Sequence, residues 1–168
     1  MEKLKVLFVC KGNVYRSAVA EQLFNKLVVA ERLDDRLEAF SRGLQGFRGT
    51  AKPQFSNLRY YSAAWSGARG VFREMGISLE GHIATPLSEY DFNSAKIVLA
   101  ADSEVRDALF GFFPDSCQNV FSFGEFGEDI ADPAEMADPL GHRETILSIQ
   151  RGVRSFFRFV VKENDLDR

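Results

Sequence analysis

The residues of this sequence that could do chemistry are concentrated in one short segment near its start. The segment reads CKGNVYRS and consists of Cys10, Lys11, Gly12, Asn13, Val14, Tyr15, Arg16 and Ser17. Gly12 permits a tight turn and Asn13 tolerates a left-handed backbone, so the amides of this segment can point towards one centre, as in an anion-binding nest. Arg16 adds a planar guanidinium that fits two oxygens of a phosphate. The segment, called the cysteine loop below, is therefore predicted to bind a tetrahedral oxyanion.

Cys10 opens the cysteine loop, and its thiol is expected to lie beneath the bound anion. A thiol beside a helix N-terminus and an arginine is stabilised as the thiolate, and Ser17 can support that thiolate with a hydrogen bond. A thiolate that faces a bound phosphate is a nucleophile for phosphoryl transfer. The alternative is a buried inert cysteine next to a surface arginine, but that interpretation leaves Gly12, Asn13 and Ser17 unexplained.

The flanking sequence predicts a strand before the cysteine loop and a helix after it. Residues 3–10 read KLKVLFVC, a compact apolar run typical of a strand buried on both faces. Apolar residues then recur at helical spacing from Arg16 onwards, at Val19, Leu23, Leu27 and Ala30. Ligands of open parallel sheets bind beyond the carboxyl ends of the strands, where a loop enters a helix. The cysteine loop has this predicted position.

The rest of the chain alternates between strand-like and helix-like segments. Further strands are predicted over 37–41, 95–101 and 119–123. Helices are predicted over 63–75, from an N-cap at Asp102 or Ser103 onwards and over 143–162. The segments 42–62 and 124–141 are predicted to be long loops. Strands separated by helices pair in parallel with right-handed crossovers. The predicted fold class is α/β, a single three-layer domain over residues 1–168 with a four-stranded parallel sheet flanked by helices.

The composition argues against several other kinds of site. The 168 residues carry 21 Lys and Arg against 24 Asp and Glu, a net charge of −3, so there is no general electrostatic case for binding nucleic acid or an anionic membrane. The two cysteines, Cys10 and Cys117, and the two histidines, His82 and His142, are too few for a disulfide framework or a cysteine-rich zinc site. We expect no metal, a reducing cytoplasm as the location, a packing role for Cys117 and structural or surface roles for both histidines. The oligomeric state is not indicated.

Four stretches of the sequence resemble one known family. VLFVCKGNVYRSAVAEQLF is similar to the N-terminus of the low-molecular-weight protein tyrosine phosphatases, and Ser41-Arg42-Gly43, GISLEGHIA at 76–84 and IVLAADSEVRDAL at 97–109 resemble later segments of that family. The resemblance covers nearly the whole chain. It implies a single phosphatase domain that needs no metal or other cofactor and hydrolyses phosphotyrosine on proteins, with tyrosine kinases among the candidate protein partners.

The resemblance also implies roles for individual residues. Cys10 would form the phosphocysteine intermediate, Arg16 and the loop amides would bind the phosphate, and Asn13 and Ser17 would hold the loop and the thiolate. An aspartate followed by proline in the late acidic loop would protonate the leaving oxygen and then activate water. Two such pairs occur, at Asp132 and at Asp138. Asp138 is the expected acid, because Leu140 and Gly141 follow its proline as an apolar residue and a glycine do in the family, and Asp132 is expected to be a loop residue.

The sequence departs from the family pattern at four places that concern substrate choice. Tyr15 stands where most members have a second cysteine, Lys11 where the residue is often apolar, and Leu140 where an aromatic residue usually follows the proline. Val14 favours an aryl phosphate. The expanded segment 44–62 contains Phe47, Phe55, Tyr60 and Tyr61, one of which could replace the missing ring wall.

Two alternative enzyme functions use the same loop, and the departures at Lys11, Tyr15 and Leu140 leave open a third, non-catalytic function. The same loop could serve a phosphoarginine phosphatase or an arsenate reductase, although the second activity requires further thiols that this chain lacks. A third alternative is a phosphate- or phosphoprotein-binding module that has kept the loop without turnover.

Overall fold

The computed structural model describes residues 2–116 and 118–168 and contains a four-stranded parallel sheet. The strands are β1 (Leu4–Cys10), β2 (Leu37–Gly43), β3 (Ile97–Ala100) and β4 (Asn119–Ser122). Their order across the sheet is β2-β1-β3-β4, with Val9 paired to Arg42 on one side and to Ala100 on the other. The predicted fold class is therefore confirmed.

In the described part of the chain, five helices connect and cover the strands. They are α1 (Arg16–Ala30), α2 (Ser62–Glu74), α3 (Glu89–Ser94), α4 (Ser103–Phe112) and α5 (Pro139–Glu163). Short 3-10 turns occupy Phe47–Gly49, Leu58–Tyr60 and Phe123–Glu125. None of the helices in the described ranges is both long and apolar enough to cross a membrane.

The sheet has an apolar core on each face, because successive strand residues point to opposite sides. Val6 and Phe8 of β1 contribute to the core formed with α1, α2 and α5, whereas Leu7 and Val9 contribute to the core formed with α3 and α4. Many of the 16 phenylalanines lie in these cores. Phe8, for example, packs edge-on against Phe24 of α1 at a centroid distance of 5.6 Å. Because β1 is buried on both faces, it is apolar at successive positions.

Several element boundaries differ from the sequence predictions. The six-residue α3 was not predicted, because a single turn with a Ser88 N-cap carries too little apolar periodicity to be recognised. Helix α5 begins at Pro139 rather than at residue 143, because proline is well suited to the first position of a helix. The N-cap prediction for Asp102 is confirmed, since its Oδ1 accepts a hydrogen bond from Val105 N at 2.8 Å. The packing role expected for Cys117 lies outside the described residues.

Candidate active site

The cysteine loop joins the end of β1 to the start of α1, as predicted. Cys10 is the last residue of β1 and Arg16 the first of α1, so the loop between them runs into a helix N-terminus. Asn13 has a left-handed backbone, with a φ of 59°. The neighbouring β2 ends at Gly43, where a Cβ would lie 2.6 Å from the carbonyl carbon of Gly12. A glycine at the end of β2 therefore lets the loop pack directly against the sheet edge.

The Cys10 thiol is buried and receives polar contacts from its own loop. Asn13 N donates a hydrogen bond to Cys10 Sγ at 3.1 Å, and Ser17 Oγ lies 3.0 Å from the same sulfur. Both contacts come from groups that can stabilise negative charge on sulfur. The structure thus brings Ser17 into the contact with Cys10 that the sequence suggested.

Asn13 is completely buried and links the loop to two other segments, β2 and residues 82–85. Its Nδ2 donates to Ser17 Oγ and to Ser41 Oγ, both at 2.9 Å, and its Oδ1 accepts from Thr85 N at 2.9 Å. Its carbonyl oxygen accepts a hydrogen bond from His82 Nε2 at 2.6 Å. His82 therefore holds the backbone of the cysteine loop, a contact that the sequence did not reveal.

Glu21 on α1 ends this hydrogen-bond network. Ser41 Oγ donates to Glu21 Oε1 at 3.3 Å, and burial raises the pKa of the Glu21 carboxyl, while His82 and the bond from Ser41 act in the opposite direction. The network beneath the loop thus consists of short polar side chains with defined partners, which makes the loop conformation rigid.

Arg16 is almost fully buried and is held in place by the end of β3 and the segment that follows β4. Its Nη1 donates to Asp102 Oδ2 and to the carbonyl oxygen of Ile130, both at 2.8 Å. Its Nη2 lies 3.9 Å from Asp132 Oδ2. Asp102 was expected only as a helix cap, and the contact with Arg16 was missed because 86 residues separate the two in sequence.

A cavity of about 370 Å³ lies in front of Cys10 and Arg16. Six residues of the cysteine loop line it: Cys10, Lys11, Gly12, Val14, Tyr15 and Arg16. The other two, Asn13 and Ser17, are buried behind them. The opposite walls come from two other segments and consist of Gln45, Pro53, Gln54, Tyr61, Asp132, Ala134 and Glu135. Because it is a concave space with an arginine and a buried thiol at its base, the cavity can hold a phosphate group with a substituent that extends outwards.

The expanded segment 44–62 forms one of these walls. Tyr61 lines the cavity, and its hydroxyl accepts a hydrogen bond from Phe55 N at 3.1 Å. Phe47 instead lies in the core formed with α3 and α4. Phe55 and Tyr60 contact each other at a centroid distance of 6.0 Å and do not line the cavity. Of the four aromatic residues in this segment, Tyr61 is thus the one that lines the cavity.

The two Asp-Pro pairs occupy different places, and the geometry does not favour the expected acid. Asp132 lines the cavity and faces Arg16. Asp138 is the N-cap of α5, where its Oδ1 accepts from Leu140 N at 3.1 Å, and it does not line the cavity. The Asp-Pro-Leu-Gly sequence that suggested Asp138 is explained by helix initiation, since aspartate at the N-cap and proline at the first position are both favoured there. Residues 131–138 are called the acid loop below.

Tyr15 and His142 form a buried pair at the side of the cavity. The Tyr15 hydroxyl lies 2.8 Å from His142 Nδ1, and the two rings are stacked. Burial raises the pKa of Tyr15 well above its ordinary range, so its hydroxyl stays protonated. His142 is fully buried in the first turns of α5. Within the described ranges, no cluster of three or more His, Cys, Asp or Glu side chains is arranged to hold a metal ion.

Comparisons with known proteins agree with this arrangement. A family model described as low molecular weight phosphotyrosine protein phosphatase matches residues 5–166. The low molecular weight protein-tyrosine-phosphatase YfkJ of Bacillus subtilis (strain 168) is 28% identical over 169 residues, which cover 97% of this chain and 99% of that protein.

Solved structures share the fold. The low molecular weight protein tyrosine phosphatase from T. tengcongensis superposes with a TM-score of 0.73 and 28% identity, over 93% of this chain and 99% of that one. The YwlE arginine phosphatase from Geobacillus stearothermophilus superposes with a TM-score of 0.73 and 23% identity, over 98% of this chain and 97% of that one. The match of the family model to nearly the whole sequence confirms the resemblance seen in its motifs, and the chain belongs to the low molecular weight phosphotyrosine protein phosphatase family of phosphoester hydrolases.

Proposed function

We propose that this protein hydrolyses phosphotyrosine on proteins through a cysteinyl-phosphate intermediate. The Cys10 thiolate attacks phosphorus, the sulfur–phosphorus bond forms, and the bond between phosphorus and the phenolic oxygen breaks. Asp132 donates its proton to that oxygen as the tyrosine leaves. Water, deprotonated by the same carboxylate, then attacks phosphorus and releases inorganic phosphate and the thiolate. No metal or cofactor takes part in this scheme.

Arg16 and the amides of the cysteine loop bind the phosphate oxygens in this proposal. The phosphoryl group carries spread negative charge in the transition state, and fixed donors aimed at that charge lower the barrier. Asn13 and Ser17 hold the loop and the thiolate, while Lys11, Gly12, Val14 and Tyr15 complete the wall of the site. The observation that carries the proposal is the presence of a buried thiol, a buried arginine and an Asp-Pro carboxylate in one cavity.

The substrate preference rests on the walls above the phosphate site. Val14, Pro53 and Tyr61 line the cavity and offer apolar surface to an aromatic ring. The relative YfkJ is named a protein-tyrosine-phosphatase. We therefore place phosphotyrosine proteins first among substrates, with tyrosine kinases as one such class. The cytoplasm suits this chemistry, because Cys10 must remain reduced.

Phosphoarginine is the second candidate substrate, and the charge of the cavity favours it. Asp132 and Glu135 both line the site, so two carboxylates can face the guanidinium of a phosphoarginine side chain. Structural neighbours include arginine phosphatases, which share the fold. The apolar residues of the cavity thus favour phosphotyrosine, whereas its two carboxylates favour phosphoarginine.

Hydrolysis of an aryl phosphate in the absence of added metal tests the proposed reaction. We expect the wild type to release phosphate and Cys10→Ser to be inactive while it still binds phosphate, because the hydroxyl is a much weaker nucleophile than the thiolate. A wild type that binds phosphate without turnover would instead identify a binding module. Matched phosphotyrosine and phosphoarginine peptides then decide the substrate: a higher kcat/KM for phosphoarginine would overturn the preference proposed here.

A further inference from the structure

A buried bridge connects the cysteine loop to the acid loop. At one end, the Tyr15 hydroxyl contacts His142 Nδ1 at 2.8 Å. At the other end, His142 Nε2 contacts the carbonyl oxygen of Met136 at 2.7 Å. Tyr15 is 3% exposed and His142 is 0% exposed, so neither bond competes with bulk water. The two side chains therefore form a continuous polar link between the loop that binds phosphate and the loop that carries Asp132.

The chemistry of the partners sets the direction of both hydrogen bonds. A carbonyl oxygen can only accept, so His142 Nε2 carries a hydrogen and donates to Met136. The Tyr15 hydroxyl keeps its proton, and with the His142 hydrogen on Nε2 it donates to Nδ1. Each polar atom of the bridge is satisfied in this arrangement, and loss of either side chain leaves a buried group without a partner.

The bridge is connected to the proposed acid through a compact turn. Met136 N donates to the carbonyl oxygen of Pro133 at 3.1 Å, and Pro133 directly follows Asp132. Ala134 N donates to Asp132 Oδ1 at 3.1 Å, which leaves Oδ2 facing Arg16. Holding the Met136 carbonyl in place therefore holds the turn that orients the Asp132 carboxyl.

We propose that Tyr15 and His142 are positioning residues that hold the acid loop over the cysteine loop, so that Asp132 reaches the leaving oxygen. The inference rests on the proposed function, because it assigns proton donation to Asp132. Tyr15 occupies the position where the family pattern has a second cysteine. Its hydroxyl bonds to His142 and so connects the cysteine loop to the acid loop. Small displacements of a catalytic group cost large factors in rate, so the bridge is expected to act on proton transfer rather than on phosphate binding.

The test measures kcat/KM for a series of aryl phosphates whose leaving groups range from p-nitrophenol to phenol. The variants are Tyr15→Phe, which keeps the ring, and His142→Asn, which keeps a polar atom near Nδ1 but cannot reach Met136. Both are expected to lower kcat/KM for phenyl phosphate on the order of tenfold and for p-nitrophenyl phosphate by about twofold or less, because poor leaving groups depend most on protonation. The inhibition constant of inorganic phosphate should not change.

Two controls separate positioning from general destabilisation. Thr145→Val removes a hydroxyl from the same helix, where it donates to the Gly141 carbonyl at 3.0 Å, and should leave the leaving-group dependence unchanged. In an Asp132→Asn background, adding Tyr15→Phe should have no further effect, since the acid that it positions is already absent.

The outcomes are distinguishable. If Tyr15→Phe lowers kcat/KM equally for all aryl phosphates, the positioning role is wrong and the proposed function stands. The same holds if Tyr15→Phe lowers kcat/KM by the same factor in the wild type and in Asp132→Asn. If Asp132→Asn itself leaves the leaving-group dependence unchanged, the assignment of the acid fails, and the positioning role fails with it.

Discussion

Asp102 serves two structural purposes through its two carboxylate oxygens. Oδ1 caps α4 by accepting from Val105 N at 2.8 Å, and Oδ2 pairs with Arg16 Nη1 at 2.8 Å. Arg16 is 4% exposed, so this pair lies in a region where an unpaired charge is costly. The residue that starts a helix thus also sets the orientation of the guanidinium at the base of the cavity.

Substitution of Asp102 separates these two effects. Asp102→Asn keeps an oxygen for the cap but places an amide donor against Arg16, whereas Asp102→Ala removes both contacts. Both variants are expected to lower kcat/KM for an aryl phosphate on the order of ten- to hundredfold, because Arg16 is no longer held in position. Only the alanine variant should lose an additional ~1 kcal/mol in the free energy of unfolding from the missing cap.

Urea unfolding and steady-state kinetics on the same preparations check this prediction. If Asp102→Asn retains wild-type kcat/KM, the ion pair with Arg16 does not orient the phosphate site.

The sequence predicted the role of a residue well when its contacts lie within one segment, and poorly when they join distant segments. Cys10, Arg16 and Ser17 belong to one loop, and their spacing alone indicated that they meet. Asp132 and Asp138 have the same local sequence signal, an aspartate before a proline, and the choice between them is made by contacts with Arg16 and by the start of α5. The contact between Asp132 and Arg16 crosses more than a hundred residues of sequence and leaves no periodic pattern.

At the scale of elements, α2 sets how closely the acid loop approaches the rest of the protein. Gly67 faces the acid loop, and a Cβ at this position would lie 2.3 Å from the carbonyl oxygen of Ala137 and 2.8 Å from His142 Cδ2. Gly70 lies in the same helix, and no atom of the described residues comes within 4 Å of a Cβ placed there. The close approach of the acid loop therefore requires glycine at position 67, whereas position 70 has room for a larger side chain.

Alanine at these two glycines should have opposite effects on stability. Gly67→Ala forces the acid loop away from α2 and should lower the free energy of unfolding by about 1–3 kcal/mol. Gly70→Ala meets no neighbour and should raise it by up to ~1 kcal/mol, because alanine has the higher helix propensity. Urea denaturation of the two variants provides the comparison. A Gly67→Ala protein at least as stable as the wild type would show that the close approach seen here is not required.

Elements with strong periodicity were predicted well, and short elements were not. The apolar run before Cys10 and the long amphipathic pattern of α5 indicated a buried strand and a terminal helix. The short α3 and the 3-10 turn Leu58–Tyr60 begin at side-chain caps, Ser88 and Asn57. The 3-10 turn Phe47–Gly49 is too short to show a periodic pattern. The sequence of that segment therefore indicated a loop without its internal turns.

At the scale of the whole molecule, parallel pairing brings the parts of the site together. β1 and β3 are neighbours in the sheet, so the cysteine loop and Asp102 emerge side by side from its carboxyl edge. Ile130 N then bonds to the Ala101 carbonyl at 3.0 Å, which brings the start of the acid loop to the same edge. The number of strands and their direction could be inferred from the sequence. The strand order that assembles these loops could not, because it depends on packing between distant segments.

Cys10, Arg16 and Asp132 together form the proposed active site in the cavity. The most direct test is the kcat for an aryl phosphate with a poor leaving group, measured for Asp132→Asn and for the matched Asp138→Asn. We predict a loss of about 10²–10⁴-fold for Asp132→Asn, which cannot donate a proton. Asp138→Asn should stay within about twofold of the wild type, since asparagine is an equally good N-cap. A large loss for Asp138→Asn with near-normal turnover for Asp132→Asn would contradict the account.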